Sequence, residues 1–357
     1  MNIFPFPTEV PAVIVFADNN GNPVQTITET VVLLPTSTAI DQSANKETST
    51  TAAQQPATTN ADPPRTTSVG PSASGGDLAA QPSGIQGGGL AGPAPGVSYS
   101  PYNSDGTCKA FSRVLSDLQT IASQYALVRI YGVDCNQVAM VASAARAAGV
   151  QLFLGIFNLD GLDDQIRTLV EAIHTYADWS VVESISVGNE LVNNGQATVQ
   201  QVTDAVSAAR ESLRGAGYTG PVVTVDTFNA VLNNPRLCDY SDFCAMNIHP
   251  FFDPNTPASA AGTFLATQVS IIRQRLANPN QRIVVTETGW PWQGSANGAA
   301  VPGKENQRTA LAAIRTVFAN NNPGNVIFFS AFNDLWKKAE PRTFYAEQFW
   351  GINQFQL

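Results

Sequence analysis

The chain has 357 residues, 43% hydrophobic and 13% charged, with a net charge of −9 and a sequence pI near 4.7. That acidity disfavours nucleic acid and anionic membranes as partners. The apolar content suffices for one large core, although the length alone would also fit two domains. The charge is uneven: residues 1–95 hold seven acids and two bases, whereas residues 96–357 hold 21 and 17. The longer part is thus close to balance, as an uncharged substrate permits.

Residues 1–35 read as a weakly structured segment. The runs 12–17 and 31–34 are strand-like, and Asp18, Asn19, Asn20, Gly21 and Asn22 supply turn chemistry between them. A small hairpin and a disordered lead are both open, because a lone hairpin is marginal in water. The first apolar run is too short to span a bilayer and no basic region precedes it, so no secretory leader is visible. Either the protein is not secreted or its leader lies outside this sequence. Residues 36–95 form a linker of Ser, Thr, Ala, Gly, Pro and Gln. Such a stretch cannot bury enough surface to offset its chain entropy and is expected to be disordered. Its Ser/Thr and Pro content suits an O-glycosylated stalk, and an unmodified linker is equally open. No Asn-x-Ser/Thr sequon with an allowed middle residue occurs.

From residue 96 the texture changes. Short apolar runs at 97–100, 126–131, 151–157, 182–188, 221–225, 243–248, 282–286 and 326–331 alternate with amphipathic stretches at 109–123, 137–148, 163–176, 199–214, 261–277 and 306–319. Residues 227–239 are shorter and irregular. Gly149 follows the second helical stretch, and Gly215 and Gly217 close the fourth. Apolar strands each followed by a helix imply a parallel sheet. Eight such units over residues 96–357 predict one closed (β/α)₈ (TIM) barrel. The rival is an open doubly wound sheet, which would carry a glycine-rich loop after its first strand. Here that position reads Ser98-Tyr99-Ser100-Pro101-Tyr102-Asn103.

Four cysteines, Cys108, Cys135, Cys238 and Cys244, show no CxxC spacing, and only two histidines accompany them. A Cys/His metal site is therefore poorly supported and no metal is expected. Two disulfides, Cys108–Cys135 and Cys238–Cys244, are the preferred pairing and would place the chain in an oxidising compartment. Four buried thiols remain the alternative.

Barrels of this kind place their chemistry at the C-terminal strand ends. The fourth predicted strand ends in Val187-Gly188-Asn189-Glu190, and the seventh in Thr286-Glu287-Thr288-Gly289-Trp290-Pro291. Strands four and seven would lie on opposite sides of the ring, so the two carboxylates would face each other across its mouth. Paired carboxylates suit glycoside hydrolysis, one protonating the leaving oxygen and the other attacking the anomeric carbon. A separation of roughly 5–5.5 Å gives retention through a glycosyl-enzyme.

Gly188-Asn189-Glu190 and Glu287-Thr288-Gly289-Trp290-Pro291 resemble the two signatures of glycoside hydrolase family 17. The likeness covers about residues 96–357, including Val128-Arg129-Ile130-Tyr131-Gly132 and Phe349-Trp350-Gly351-Ile352, and is nearest to fungal cell-wall members. It implies an endo-acting β-1,3-glucanase of the secreted or wall compartment, with β-1,3-glucanosyl transfer and a non-catalytic glucan-binding wall protein as alternatives. It also implies that Glu190 is the acid/base and Glu287 the nucleophile, and that Asn189 bonds the sugar 2-hydroxyl. Tyr131 would stand near the nucleophile, and Lys337 and Glu347 would be further charged residues around the site. Tyr99, Trp290 and Trp336, at or beyond strand ends, are candidate sugar platforms. Phe251 and Phe332, similarly placed, read rather as core. His249 would bond a carboxylate or a sugar hydroxyl. No cofactor is expected, and the protein is expected to act as a monomer on β-1,3-glucan.

Overall fold

A computed structural model describes residues 8–17, 23–33, 94–319 and 322–352. Two compact units divide at residues 57 and 58. In the first, β1 (Thr8–Ala17) and β2 (Pro23–Leu33) pair antiparallel, with Thr8 opposite Leu33 and Phe16 opposite Gln25. The second strand begins earlier than the apolar run suggested. Val24, Thr26, Ile27, Thr28 and Thr30 explain this, since β-branched side chains favour the pleated backbone even when polar. The expected linker over 36–95 lies outside the described residues except at its last two positions.

In the second unit eight parallel strands close into a barrel. They are β3 (Gly96–Ser98), β4 (Leu127–Arg129), β5 (Gln151–Ile156), β6 (Val182–Asn189), β7 (Val222–Thr227), β8 (Cys244–Asn247), β9 (Ile283–Thr288) and β10 (Val326–Phe328). They neighbour one another in sequence order, and β10 closes onto β3. The helices α1 (Phe111–Ala122), α2 (Gln137–Ala148), α3 (Leu162–Tyr176), α4 (Val199–Gly215), α7 (Ala261–Arg273) and α8 (Lys304–Ala319) match the six amphipathic stretches. The irregular segment resolves into two short helices, α5 (Phe228–Asn233) and α6 (Arg236–Asp239).

Local chemistry sets the helix ends. Gly149 ends α2 at φ 72°, a left-handed conformation that a Cβ would strain. Thr198 and Gln201 form a reciprocal capping box at the start of α4, satisfying two otherwise orphaned donors. The buried faces of the helices, such as Val114, Leu118 and Ile121 of α1, pack on outward strand residues such as Val128 and Ile130 in one continuous core.

Inside the ring a second apolar group includes Leu127, Phe153, Val225, Ala245, Val284 and Ile327. Successive strand side chains alternate faces, so a residue two positions on points the same way. Two positions beyond Leu127, Ala245 and Val284 stand Arg129, Asn247 and Thr286. The apolar plug is thus roofed by a polar layer, and the functional groups sit on that layer.

Both expected disulfides form: Cys108–Cys135, with Cα atoms 5.5 Å apart, and Cys238–Cys244, with Cα atoms 4.4 Å apart. The first ties the segment after β3 to that after β4.

Candidate active site

Glu190 and Glu287 stand at the ends of β6 and β9, with β7 and β8 between them. They are three strands apart, not diametrically opposed as the sequence suggested. The strand pairing slips between Ser186 and Asn189 beside β7, and between Met246 and Asn247 beside β9. Such irregularities re-aim side chains near active sites, and here each lies within a few residues of a carboxylate or its bridging amide.

Asn247, at the tip of β8, spans the pair. Its Nδ2 donates to Glu190 Oε1 at 2.7 Å, and its Oδ1 accepts from Thr286 Oγ1 at 2.8 Å and Arg129 Nη1 at 3.3 Å. Arg129 is 0% exposed. Its Nη1 also donates to Glu287 Oε1 at 2.9 Å and to the Thr286 carbonyl at 2.9 Å, and its Nη2 donates to Asn189 Oδ1 at 2.8 Å. The guanidinium lies 4.6 Å from the centre of the Tyr131 ring. His249 Nε2 donates to Glu287 Oε2 at 3.2 Å, and its ring sits edge-on to Trp350 with centroids 5.0 Å apart.

These surroundings drive the two carboxyls apart. Burial raises Glu190, and the like charge of Glu287 raises it further, to about 7. Burial acts the same way on Glu287, but the His249 hydrogen bond, the Arg129 charge and the more distant Lys337 outweigh it and hold the group near 2. One member is a protonated acid and the other an anion over the same pH range, the division of labour that two-carboxylate catalysis needs.

The other expected site residues divide. Tyr131 stands beside Glu287, its phenol pushed well up by burial and by that carboxylate. Lys337 Nζ pairs with Glu347 Oε1 at 3.0 Å and lies within electrostatic reach of Glu287. Trp336 is 37% exposed, packs at a tilt of 58° against Tyr102 with centroids 4.9 Å apart, and donates through Nε1 to Asp334. Two expectations fail. Tyr99 is 1% exposed and its hydroxyl donates to Asp117 Oδ2 at 2.9 Å, under α1. Trp290 is 0% exposed, packs on Phe251 and donates to the Val301 carbonyl at 2.9 Å. Both side chains turn into the wall and not the cleft, so neither is a sugar platform. Arg129, Asn247 and Tyr102 were not assigned roles from sequence; an arginine inside an apolar strand run was the available signal for the first.

Among the described residues no group of three or more His, Cys, Asp or Glu could hold a metal ion, and no helix is long and apolar enough to cross a membrane.

The model of the BtgE/BtgC glycoside hydrolase domain matches residues 96–351. The chain is 44% identical over 259 residues to the probable family 17 glucosidase SCW10 of Saccharomyces cerevisiae, covering 72% of this chain and 64% of that protein. It is 42% identical over 273 residues to the cell surface mannoprotein MP65 of Candida albicans, covering 76% and 69%. The matched stretch is thus just under two thirds of SCW10. Among solved structures, an active-site mutant of Rhizomucor miehei β-1,3-glucanosyltransferase in complex with laminaritriose aligns with a TM-score of 0.60 over 72% of this chain and 92% of that one. At 22% identity that likeness is one of fold. The family 17 signatures read at the ends of β6 and β9 therefore sit in a matching domain on a matching barrel, and the chain belongs to the BtgE/BtgC glycoside hydrolase family.

Proposed function

We propose that residues 96–357 form a retaining glycosidase acting on β-1,3-glucan of the cell wall. The observation that carries this reading is the opposed protonation of two carboxyls linked through Asn247 and Arg129: Glu190 near 7 and Glu287 near 2. Glu287 attacks the anomeric carbon while Glu190 gives its proton to the leaving oxygen. Glu190 then takes a proton from the water that opens the glycosyl-enzyme. Asn189 has its Oδ1 held by Arg129, which leaves its Nδ2 to donate to the sugar 2-hydroxyl. Trp336, on its Tyr102 base, offers a flat apolar face to a glucose ring. His249, Tyr131, Lys337 and Glu347 act on the charge of Glu287 and its surroundings more than on sugar directly.

A sugar acceptor in place of water would turn the same intermediate to β-1,3-glucanosyl transfer, the activity named for the Rhizomucor structure. Wall residence is supported by the relatives' names, cell surface mannoprotein among them. A purely binding role is disfavoured, since a lectin has no use for a buried anion held beside a buried acid. The test is to incubate the protein with a reduced laminari-oligosaccharide and resolve products by mass. Shorter products alone mean hydrolysis, and products longer than the substrate mean transfer. No product from a folded protein overturns the proposal. Glu190→Gln and Glu287→Gln should each abolish turnover and leave glucan binding intact.

A further inference from the structure

Glu190 holds an unusual backbone position for a side chain that must be placed accurately. Its φ is 56°, in the left-handed region, which costs a non-glycine residue on the order of 1 kcal/mol or more and persists only where neighbours enforce it. The enforcing contacts come from β7. The Glu190 amide donates to the Val225 carbonyl at 2.9 Å. The next residue of β7 is Asp226, a carboxylate only 1% exposed. Its Oδ2 accepts from the Val192 amide at 2.9 Å, and its Oδ1 accepts from the Asn193 amide at 3.2 Å and the Thr227 amide at 2.8 Å. Thr227 Oγ1 completes the knot by donating to Asn193 Oδ1 at 2.9 Å. Two of these three amides belong to the turn that directly follows Glu190.

All three partners are neutral, and among the described residues Asp226 enters no ion pair with a cation. A buried carboxylate is expensive to keep, and an asparagine could accept on one side of this knot only, its NH2 being a donor, so the anion is retained where both oxygens are used. The carboxylate supplies acceptors on both oxygens and, beyond that, a negative charge within electrostatic reach of Glu190, even though burial raises its own pKa.

We infer that Asp226 is a positioning residue for Glu190, fastening the turn that carries the acid/base to β7 and setting an unneutralised negative charge beside it. This rests on the assignment of Glu190 as acid/base. The groups whose charge bears on Glu190 are Glu287, His249 and Asp226, with Asn247 bonded to it. The two acids favour its protonated form, and Asn247 and His249 oppose this.

The test is direct titration of Glu190 by NMR of the ¹³C-labelled glutamate carboxyls, its resonance being the one missing in Glu190→Gln. Asp226→Asn removes the charge and retains an acceptor oxygen. The Glu190 midpoint is expected to fall by about half a pH unit or more, since a like charge has been withdrawn. Where the wild type turns over glucan, the alkaline limb of kcat/KM should fall with it, and kcat should drop about tenfold or more with KM nearly unchanged. Asn193→Ala, at an exposed position, cuts the Thr227 tie and a long bond to Asn194 within the same turn while leaving Asp226 charged; it should lower kcat a few-fold and leave the midpoint in place. If Asp226→Asn does not fold, this second variant decides the positioning role through kcat. A folded Asp226→Asn with an unmoved midpoint overturns the inference, as does an active Asn193→Ala with wild-type kcat where the first variant cannot be read. A wild type inactive on glucan would sink the proposed reaction, while the titration would still judge Asp226.

Discussion

Moving Glu190 from water to the end of β6 strips it of solvent and sets it near a second carboxylate, with an amide as its hydrogen-bond donor. Glu287 is the more deeply buried of the two and gains a guanidinium and an imidazole N–H in exchange. The difference between the partners, not between the residues, keeps one carboxyl protonated and the other ionised. The pH dependence of kcat/KM should therefore be bell-shaped, with limbs near 2 and near 7, measurable on any soluble laminari-oligosaccharide. Stability should show the same asymmetry. As pH rises, the unfolded chain releases the Glu190 proton at the ordinary value of 4.5 and the folded chain holds it to about 7. The fold therefore loses stability across that window, and Glu190→Gln should gain on the order of 3 kcal/mol relative to wild type above it. Glu287 is depressed, so its contribution is present above the ordinary value and fades as pH falls toward 2. Glu287→Gln should be destabilising at neutral pH by about 3 kcal/mol, because Arg129 is left buried without its anion. Thermal melts of Glu190→Gln at pH 5 and pH 8, and of Glu287→Gln at about pH 3 and pH 7, test these signs.

At the scale of the elements, the strands and helices were legible because each strand is a buried apolar run and each helix has one apolar face. The two strand-end motifs were legible for a different reason, since the barrel dictates where chemistry sits. What could not be read is direction. Tyr99, one residue past β3, turns outward under α1, whereas Tyr131, two residues past β4, stands beside Glu287. Aromatic type is the same and the alternation of the strand decides. Arg129 and Asn247 escaped notice because their partners are 39 to 158 residues away, and only ring closure brings them together. The Cys108–Cys135 link was legible as a pair but its position was not. Cys108 pairs as a β-bridge with Tyr102, and Tyr102 donates to Asp134 beside Cys135. That linked corner is the base on which Trp336 packs. Replacing both cysteines by serine opens a loop of separation 27, for which chain entropy predicts a loss of about 3.5 kcal/mol. A several-fold rise in KM with kcat retained should accompany it, read by steady-state kinetics below the lowered melting temperature.

For the molecule as a whole, charge and closure matter most. The acidic excess is shared between the front segment and the barrel, and the barrel's 21 acids and 17 bases leave little field to steer a neutral polymer. Activity on glucan should change less than twofold between low salt and about 0.5 M salt, in contrast to an enzyme that captures charged substrates. Closure also fixes where the acid keeps its proton. The Asn247 amide cannot be turned over, because Arg129 is a donor only and demands its oxygen. Its nitrogen must then face Glu190 Oε1, so that oxygen is an acceptor in every turnover. The proton is left to Oε2 alone. Of the two chemically equivalent oxygens of Glu190, the barrel makes one the anchor and leaves the other as the atom that would hand over the proton in the proposed reaction.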